Sequence, residues 1–520
     1  MARYLLSRIV RAAVSVVIVT AVVMVLIYSC QDRNLIFAND PVFSKFKSNA
    51  QDVYKMQQWE NYGYVDFVAY EDFLAEQNLE KEQYALAAIG DKPADDRPEA
   101  ARQIAAFTAK YEAEGYQVVR LAGKHKGNTQ SYLDGGEPRL YAYRDVPLGM
   151  RLIQYLTGMI QLDNIHAVQE DVGQRGLEFT WFDPVYGGEK FSPAIMGNGT
   201  RHKYLLYFDN RFPYLHQNFI TIQLGRSFSV NKGVDVFETM TDSQGSREMA
   251  WVTYPSGNRE YSADDLHTAT YVAGSFAGGD AVVKRNFVDD YTAVTTRKSG
   301  LSKLGYSFVI GILASALAYA LAVPAAIWMA RRKGRLGDHL GTGYIVFIMA
   351  VPSLAYIFLF KALGQAAGLP TTFDMENPTT LMYVLPIISL ALPTAANLMK
   401  WLRRYMIDQL GSEYVRFARG SGLGEGYIFR AHVLKNAAIP VIHGIPASIL
   451  GALVGAIITE RVYVVPGAGN LLTNAIHAYD NGVIVGVTVF YAVISVVSVI
   501  LGDTLMAGAD PRISLADKEG

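Results

Sequence analysis

The sequence predicts a polytopic α-helical membrane protein with six transmembrane helices and a large α+β domain outside the bilayer, between helices 1 and 2. Three observations predict it. Apolar runs near the roughly 20 residues that cross a bilayer occur once at the start and five times in the C-terminal part. The stretch between reads as a soluble domain. Lys and Arg gather in alternate short loops, which sets an orientation. The formal net charge of −1 gives no bulk electrostatic case for nucleic acid.

The first span covers Ala12 to Ser29, "AAVSVVIVTAVVMVLIYS". A cleaved signal peptide is the competing reading, and "LIYSC" is close to a weak lipidation box ending at Cys30. Tyr28 is bulky where a small residue is preferred and the apolar run is long for a signal core, so an uncleaved helix is expected. Cys30 is the sole cysteine, which excludes an internal disulfide framework. A large outside domain without disulfides fits a bacterial plasma membrane. The other spans are expected over Tyr306 to Met329, Gly343 to Leu363, Thr380 to Met399, Ile439 to Ile458 and Val483 to Met506. The chain thus divides into 1–30, an outer domain 31–303, and a core 304–520.

Arg3, Arg8 and Arg11 precede the first span, "RRKGR" (Arg331 to Arg335) follows the second, and Lys400, Arg403 and Arg404 follow the fourth. Arg512 and Lys518 follow the sixth. Residues 365–379 carry no Lys or Arg, and the last outer loop has only Arg461. Both termini and the loop 400–438 are therefore expected in the cytoplasm, and 31–303 outside. Pro324, Pro352, Pro386, Pro393, Pro440 and Pro446 mark the spans. Neighbouring helices can satisfy the backbone groups that proline frees, so these kinks either shape a pathway or reflect bundle irregularity.

In the outer domain, "DDRPEAARQIAAFTAKYEAEG" has the acidic opening, the proline and the closing Gly115 of a capped helix. "YQVVRLAG", "KYLLYFDN" and "NFITIQLG" read as strands, and "REMAWVTYPSGNREYSA" as a hairpin turning at 255–258. The frequent tyrosines suit half-buried strands, or a binding face. His125, His166, His202, His216 and His267 are scattered without an HExxH pair. "LGRSFS" lacks the second glycine of a nucleophile elbow, and no EF-hand loop occurs. Asn198-Gly-Thr200 is a glycosylation sequon by pattern only. No catalytic and no metal-ligating set is expected, and no enzymatic activity.

Six spans suggest transport, and two energy sources compete. An ion-coupled carrier needs ionisable groups inside the bilayer. The span interiors show no Asp or Glu; Lys361, Glu460 and Asp503 lie near ends, where snorkelling accounts for them. His443 is the exception, and a packed, hydrogen-bonded histidine is the bland reading. The chain has no GxxxxGK[ST] loop, so an ATP-driven version needs a separate ATPase, with ATP and Mg held there and not here. Such a partner needs a docking element on the cytoplasmic face. A membrane-anchored receptor working through the outer domain is the third class.

The stretch Glu413 to Ile442, "EYVRFARGSGLGEGYIFRAHVLKNAAIPVI", resembles the signature loop of the dipeptide and oligopeptide ABC importer permeases (the OppB/DppB family). The match runs through Glu413, Tyr414, Val415, Arg416, Ala418, Arg419, Gly422, Leu423, His432, Lys435, Asn436, Ala437 and Pro440. Gly420 and Ser421 replace the common Ala-Lys, and Gly424 and Gly426 are additional. Other blocks agree in order: "RYLLSRIV" at the start, "LGRSFS", "ARRKGRLGDHL", "AVPSLAYIFLFKALG", "LPIISLALPTAANLMKWLR", "VPGAGNLLTNAI" and the terminal "ADPRISL". The outer domain departs from short members of the family and resembles the insertion in oligopeptide-permease subunits of some Gram-positive bacteria.

The resemblance implies the ABC type I importer permease fold and a membrane-spanning subunit of an ATP-driven peptide importer working by alternating access. It implies a second homologous permease, two ABC ATPase subunits, an extracellular solute-binding lipoprotein and an oligopeptide substrate. Nickel, sugars or dipeptides remain alternatives for the same permease type. Within 413–440, Glu413, Tyr414, Arg416, Ala418, Arg419, Gly422, Leu423, His432 and Asn436 are expected to dock the ATPase, with Arg416 and Arg419 on one helical face meeting acidic groups. Pro352, Asn397, His443, Pro466 and Gly467 are the candidates for a substrate pathway.

Overall fold

The computed structural model describes residues 2–46, 49–77, 79–89, 97–121, 140–210, 214–278, 281–375 and 378–509. Asp95, Asp96, His125, Arg512, Lys518 and the terminal "DPR" lie outside the described residues.

Helix α1 (Ala2–Cys30) extends the first apolar run by several turns toward the N-terminus. It lies against the last helix of the chain, and Arg8 pairs with Asp503 of that helix at 2.9 Å. Asp503 is therefore ion-paired, not a snorkelling side chain.

The segment after α1 is α+β. Helices α2 (Asn49–Asn61), α3 (Tyr70–Glu76), α4 (Lys81–Ala87) and α5 (Pro98–Ala113) accompany strands β1 (Val65–Ala69), β2 (Gln117–Arg120) and β3 (Leu140–Asp145), which form an antiparallel sheet in the order β1-β3-β2. Pro98 opens α5, where its missing N–H costs nothing, and Gly115 beyond its end takes φ +80°. Tyr70, Phe73, Phe107, Tyr111 and Leu140 form the core of this layer.

Helix α6 (Leu148–Gly158) leads to β4 (Ile160–Leu162), and β5 (Gly176–Thr180), β6 (Ala194–Asn198), β7 (Tyr204–Phe208) and β8 (Leu215–Gln217) make a four-stranded sheet in sequence order. Strand β9 (Ile220–Ile222) pairs back with β4. After α7 (Val236–Thr241), β10 (Ala250–Thr253) and β11 (Arg259–Ser262) form the hairpin read from the sequence, with Thr253 opposite Arg259. Strands β12 (Asp264–Tyr271) and β13 (Tyr291–Thr296), with α8 (Ser275–Gly278) and α9 (Ala281–Asn286) between, close the segment. Tyr141, Tyr204, Tyr207, Tyr254 and Tyr291 are buried, so much of the tyrosine content is core.

Helix α10 (Lys303–Arg331) is the second span and continues through Pro324. The third expected span is not straight. Helices α11 (Leu336–Ala350) and α12 (Ser353–Ala366) meet at 109°. Pro352 cannot donate a helical hydrogen bond, and it biases the residue before it to extended backbone; Val351 has ψ 130°. Helix α13 (Val384–Leu410) is the fourth span and contains Pro386 and Pro393. The fifth is also interrupted: α16 (Lys435–His443) stops at Gly444, and α17 (Ile445–Tyr463) restarts with Pro446 in its first turn. A short α18 (Ala468–His477) precedes α19 (Asn481–Ala509). Among the described residues, five helices are long and apolar enough to cross a membrane, or six if the bent pair counts as one span.

Small residues hold the core together. Ala314, Ala318 and Ala322 recur every fourth residue on α10, and with Ala391 and Ala395 of α13 they are fully buried in one cluster. The α+β segment sits on one end of this bundle. Asp480, wholly buried just before α19, accepts the N–H groups of Phe228 and Ser229 at 2.7 Å each, and the hydroxyls of Ser229 and Ser227 at 2.9 and 3.2 Å. "LGRSFS" is thus a loop wrapped around a carboxylate. A side chain on Gly482 or Gly486 would strike its backbone at Arg226 or Leu224.

Candidate coupling surface

At the other end of the bundle, α13 passes into α14 (Glu413–Gly420), α15 (Glu425–Ile428) and a π-helical stretch Phe429–Leu434 that runs into α16. Val415 and Ala418 lie three apart on α14. Both are buried with Ile428, Phe429, Val433 and Ala437 against Ala326 and Ala330 of α10 and Leu402 and Met406 of α13. Their burial turns Arg416 and Phe417 outward. Phe417 is 79% exposed, and Leu423 and Tyr427 are exposed as well.

The loop braces itself with its own polar groups. Gly422 ends α14 with φ +77°, a left-handed turn that glycine adopts without strain. Arg419 closes this turn with two bonds to the Glu425 carboxylate, Nε at 2.7 Å and a terminal nitrogen at 3.3 Å. That guanidinium holds the Glu425 carboxyl below its ordinary range. The Tyr414 hydroxyl accepts from Asn436 Nδ2 at 3.0 Å and also meets the Gln409 amide oxygen and the His432 carbonyl, tying the start of the loop to its end. Near the same end, Arg403 of α13 binds Asp338 of α11 bidentately at 2.6 and 2.7 Å.

The nine residues singled out from the sequence therefore divide. Glu413, Arg416 and Leu423 stand on the surface. Arg419, Tyr414, His432 and Asn436 brace the loop, Ala418 is buried, and Gly422 makes the turn. Arg416 and Arg419 are not both free for an acidic partner, because Glu425 takes Arg419. Phe417 and Tyr427 were missed. The signal for Phe417 was present: it stands off the Val415–Ala418 stripe by helical periodicity.

The pathway candidates are not gathered into one place. Pro352 is at the bend between α11 and α12, and Asn397 is on the exposed side of α13. His443 ends α16 with Nδ1 3.9 Å from Asp503. Pro466 and Gly467 form the turn before α18.

That turn corrects the reading of Glu460. The residue does not snorkel; it is wholly buried. Its Oε1 accepts from Ser307 Oγ of α10 at 2.6 Å and its Oε2 from the Asn470 N–H at 3.0 Å. Ser307 Oγ in turn accepts the Ala468 N–H at 2.9 Å. The carboxylate thus caps the first turn of α18, where free N–H groups favour an anion. A Cβ on Gly467 would collide with it, so "VPGAGNLL" is a tight turn built around a side chain. Lys361 is likewise satisfied inside the fold, donating to the Val462 carbonyl at 2.7 Å.

Known proteins share this arrangement of sequence. Residues 322–515 match the family described as the binding-protein-dependent transport system inner membrane component. The chain is 33% identical over 526 residues to the oligopeptide transport system permease protein AmiC of Streptococcus pneumoniae, covering 100% of both chains. It is 32% identical over 188 residues to the dipeptide transport system permease protein DppB of Lactococcus lactis subsp. cremoris, covering 36% of this chain and 61% of that one. Against the oligopeptide transport system permease protein AppB of Bacillus subtilis, identity is 29% over 281 residues, or 52% of this chain and 86% of the relative.

Proposed function

The chain belongs to the oligopeptide and dipeptide permeases of ABC importers, and from that premise we propose how its two ends work. It is a membrane-spanning transport subunit of a peptide importer, without an ATPase site of its own. In our reading the substrate is an oligopeptide, because the full-length likeness to AmiC includes the large segment after α1.

The proposed assembly pairs this chain with a second homologous permease, two ATPase subunits holding ATP and Mg, and a solute-binding lipoprotein outside. Both termini and the loop 413–440 face the cytoplasm, and 31–303 faces outward, as the Lys and Arg distribution implies. The observation that carries this reading is the exposed face of Phe417, Leu423, Tyr427 and Arg416 on a loop that is otherwise braced and packed on the bundle. Three large apolar side chains exposed on one short loop beside Arg416 suit an interaction surface. The ATPase pair, closing on ATP, moves this loop, and the spans switch between two packed states. Among the pathway candidates, the bend at Pro352 is the place where rigid segments can pivot, while Pro466 and Gly467 sit in the turn held by Glu460.

The test is uptake of a mixed peptide library by cells with the gene intact, deleted, or carrying Gly422→Glu. A non-glycine residue at φ +77° strains the turn that aims the loop. Deletion and variant should both abolish uptake of tetrapeptides and longer while free amino acids still enter. Uptake that survives both would refute the oligopeptide reading. A parallel deletion of 31–303 with the spans intact should cripple uptake if that segment receives the lipoprotein or guides peptide.

A further inference from the structure

Helix α6 and the two-stranded ribbon β4–β9 expose an apolar surface at the depth where the spans leave the bilayer. The depth follows from α19. Its 29 residues measure about 43 Å at 1.5 Å per residue, against a hydrocarbon core of about 30 Å. Its first turn or so therefore stands in the headgroup zone, and Gly486, about 7 Å along at the same rise, lies near the hydrocarbon boundary. Gly486 is where Leu224 rests, since a Cβ there would strike the Leu224 carbonyl. Strand β9 ends two residues earlier, at Ile222.

Helix α6 is tied to the same level. Its inner residues Leu152 and Tyr155 pack with Met24 of α1 and Val485 of α19, and the Tyr155 hydroxyl donates to the Leu224 carbonyl at 3.3 Å. Arg151 lies over the rings of Tyr28 and Tyr64, with centroids at 3.8 and 4.2 Å. Amphipathic rings at this height are the usual furniture of a membrane interface.

The outer face of the unit is apolar. On the ribbon, Ile160 faces Ile222 and Leu162 faces Ile220, so the four aliphatic side chains share one side, while Gln161 and Thr221 share the other. Ile160 is 62% and Leu162 70% exposed, and Met150 and Ile153 extend the surface along α6. Separately, α1 exposes an apolar flank at Ile18, Val22, Val25 and Leu26, which faces lipid in a membrane-spanning chain.

We propose that α6 and the β4–β9 ribbon are seated in the headgroup and upper acyl region of the bilayer, with lipid as their partner, anchoring the α+β segment to the membrane surface. The proposal needs only that the helices span; it does not rest on how the ATPase docks. An apolar unit held at the boundary by packed neighbours has one medium available that water does not offer. Helix α5, by contrast, packs on α3, α4 and β2.

The experiment uses the full chain with Cys30→Ser in nanodiscs of phosphatidylethanolamine and phosphatidylglycerol, alone and assembled with the other subunits. A nitrobenzoxadiazole label is placed at Leu162→Cys, at Ile222→Cys and, as reference, at Ala109→Cys on α5. At 162 and 222 we expect blue-shifted emission, quenching by a lipid spin-labelled high on the acyl chain several-fold above that at 109, and several-fold protection from aqueous iodide. Iodide quenching at 162 and 222 equal to that at 109 would overturn the proposal. So would shielding from both quenchers, or shielding that appears only when the solute-binding protein is added, since either result makes the patch a protein-docking face. Two ribbon positions keep the test decisive if one variant fails to fold.

Discussion

Asp480 and Glu460, at the end of the bundle that carries the α+β segment, are wholly buried, whereas Glu413 and Glu425, in the loop at the other end, stand in the open. The buried pair is answered by backbone N–H groups and serines from distant elements: Phe228 and Ser229 for Asp480, Ser307 and Asn470 for Glu460. Among the described residues, Glu425 is met by Arg419 of the same loop, and Phe417 and Tyr427 of that loop are exposed. A buried carboxylate has to be satisfied within the fold. One end is therefore fastened to itself, and the other carries the exposed face that we propose receives the ATPase.

Breaking the fastened end should give the largest effects on stability. Asp480→Ala leaves two backbone N–H groups buried and unanswered, and we expect a loss of about 3 kcal/mol or more, read as a lower thermal-unfolding midpoint of the purified chain. Next comes Glu460→Ala, which strips one backbone N–H and the Ser307 hydroxyl of their partner and should cost about 2 kcal/mol. Glu460→Gln should recover most of it, because the amide can accept from the Asn470 N–H and donate to Ser307 Oγ. A Gln variant as unstable as the Ala variant would mean that charge, and not the hydrogen-bond frame, holds the turn. Gly467→Ala should fall between the two by crowding the same carboxylate. At the other end, Arg419→Ala removes an exposed ion pair, and the unfolding midpoint should not move measurably. Any deficit there should appear in transport.

Much of this contrast was legible in the sequence, and some was not, for physical reasons. Apolar runs and alternating positive loops locate the spans, because a bilayer punishes every other composition. They do not show direction: "IMAVPSLAY" is one apolar run by composition, and only Pro352 hints at the 109° bend. Capping and turn chemistry placed α5 and the β10–β11 hairpin, since both are local. The pairing of β4 with β9 is not local and left no pattern. Glu460 was misread because a carboxylate near a span end looks like a snorkelling one; its partner Ser307 is distant in the chain, and only the glycines at 467 and 469 betray a side chain needing room. Helical spacing showed that Arg416 and Arg419 share a face, but not that Glu425 reaches back across the Gly422 turn to take one of them.

The most direct test of the open end is co-purification of the ATPase subunits with the solubilised permease carrying Phe417→Asp. Phe417 is 79% exposed, so the thermal midpoint should stay at that of the unaltered protein, with stability changed by at most about 0.5 kcal/mol. The account predicts that the variant keeps its second permease and loses the ATPase, with peptide uptake falling to the level of the deletion. Retention of the ATPase and of uptake at the unaltered level would contradict it.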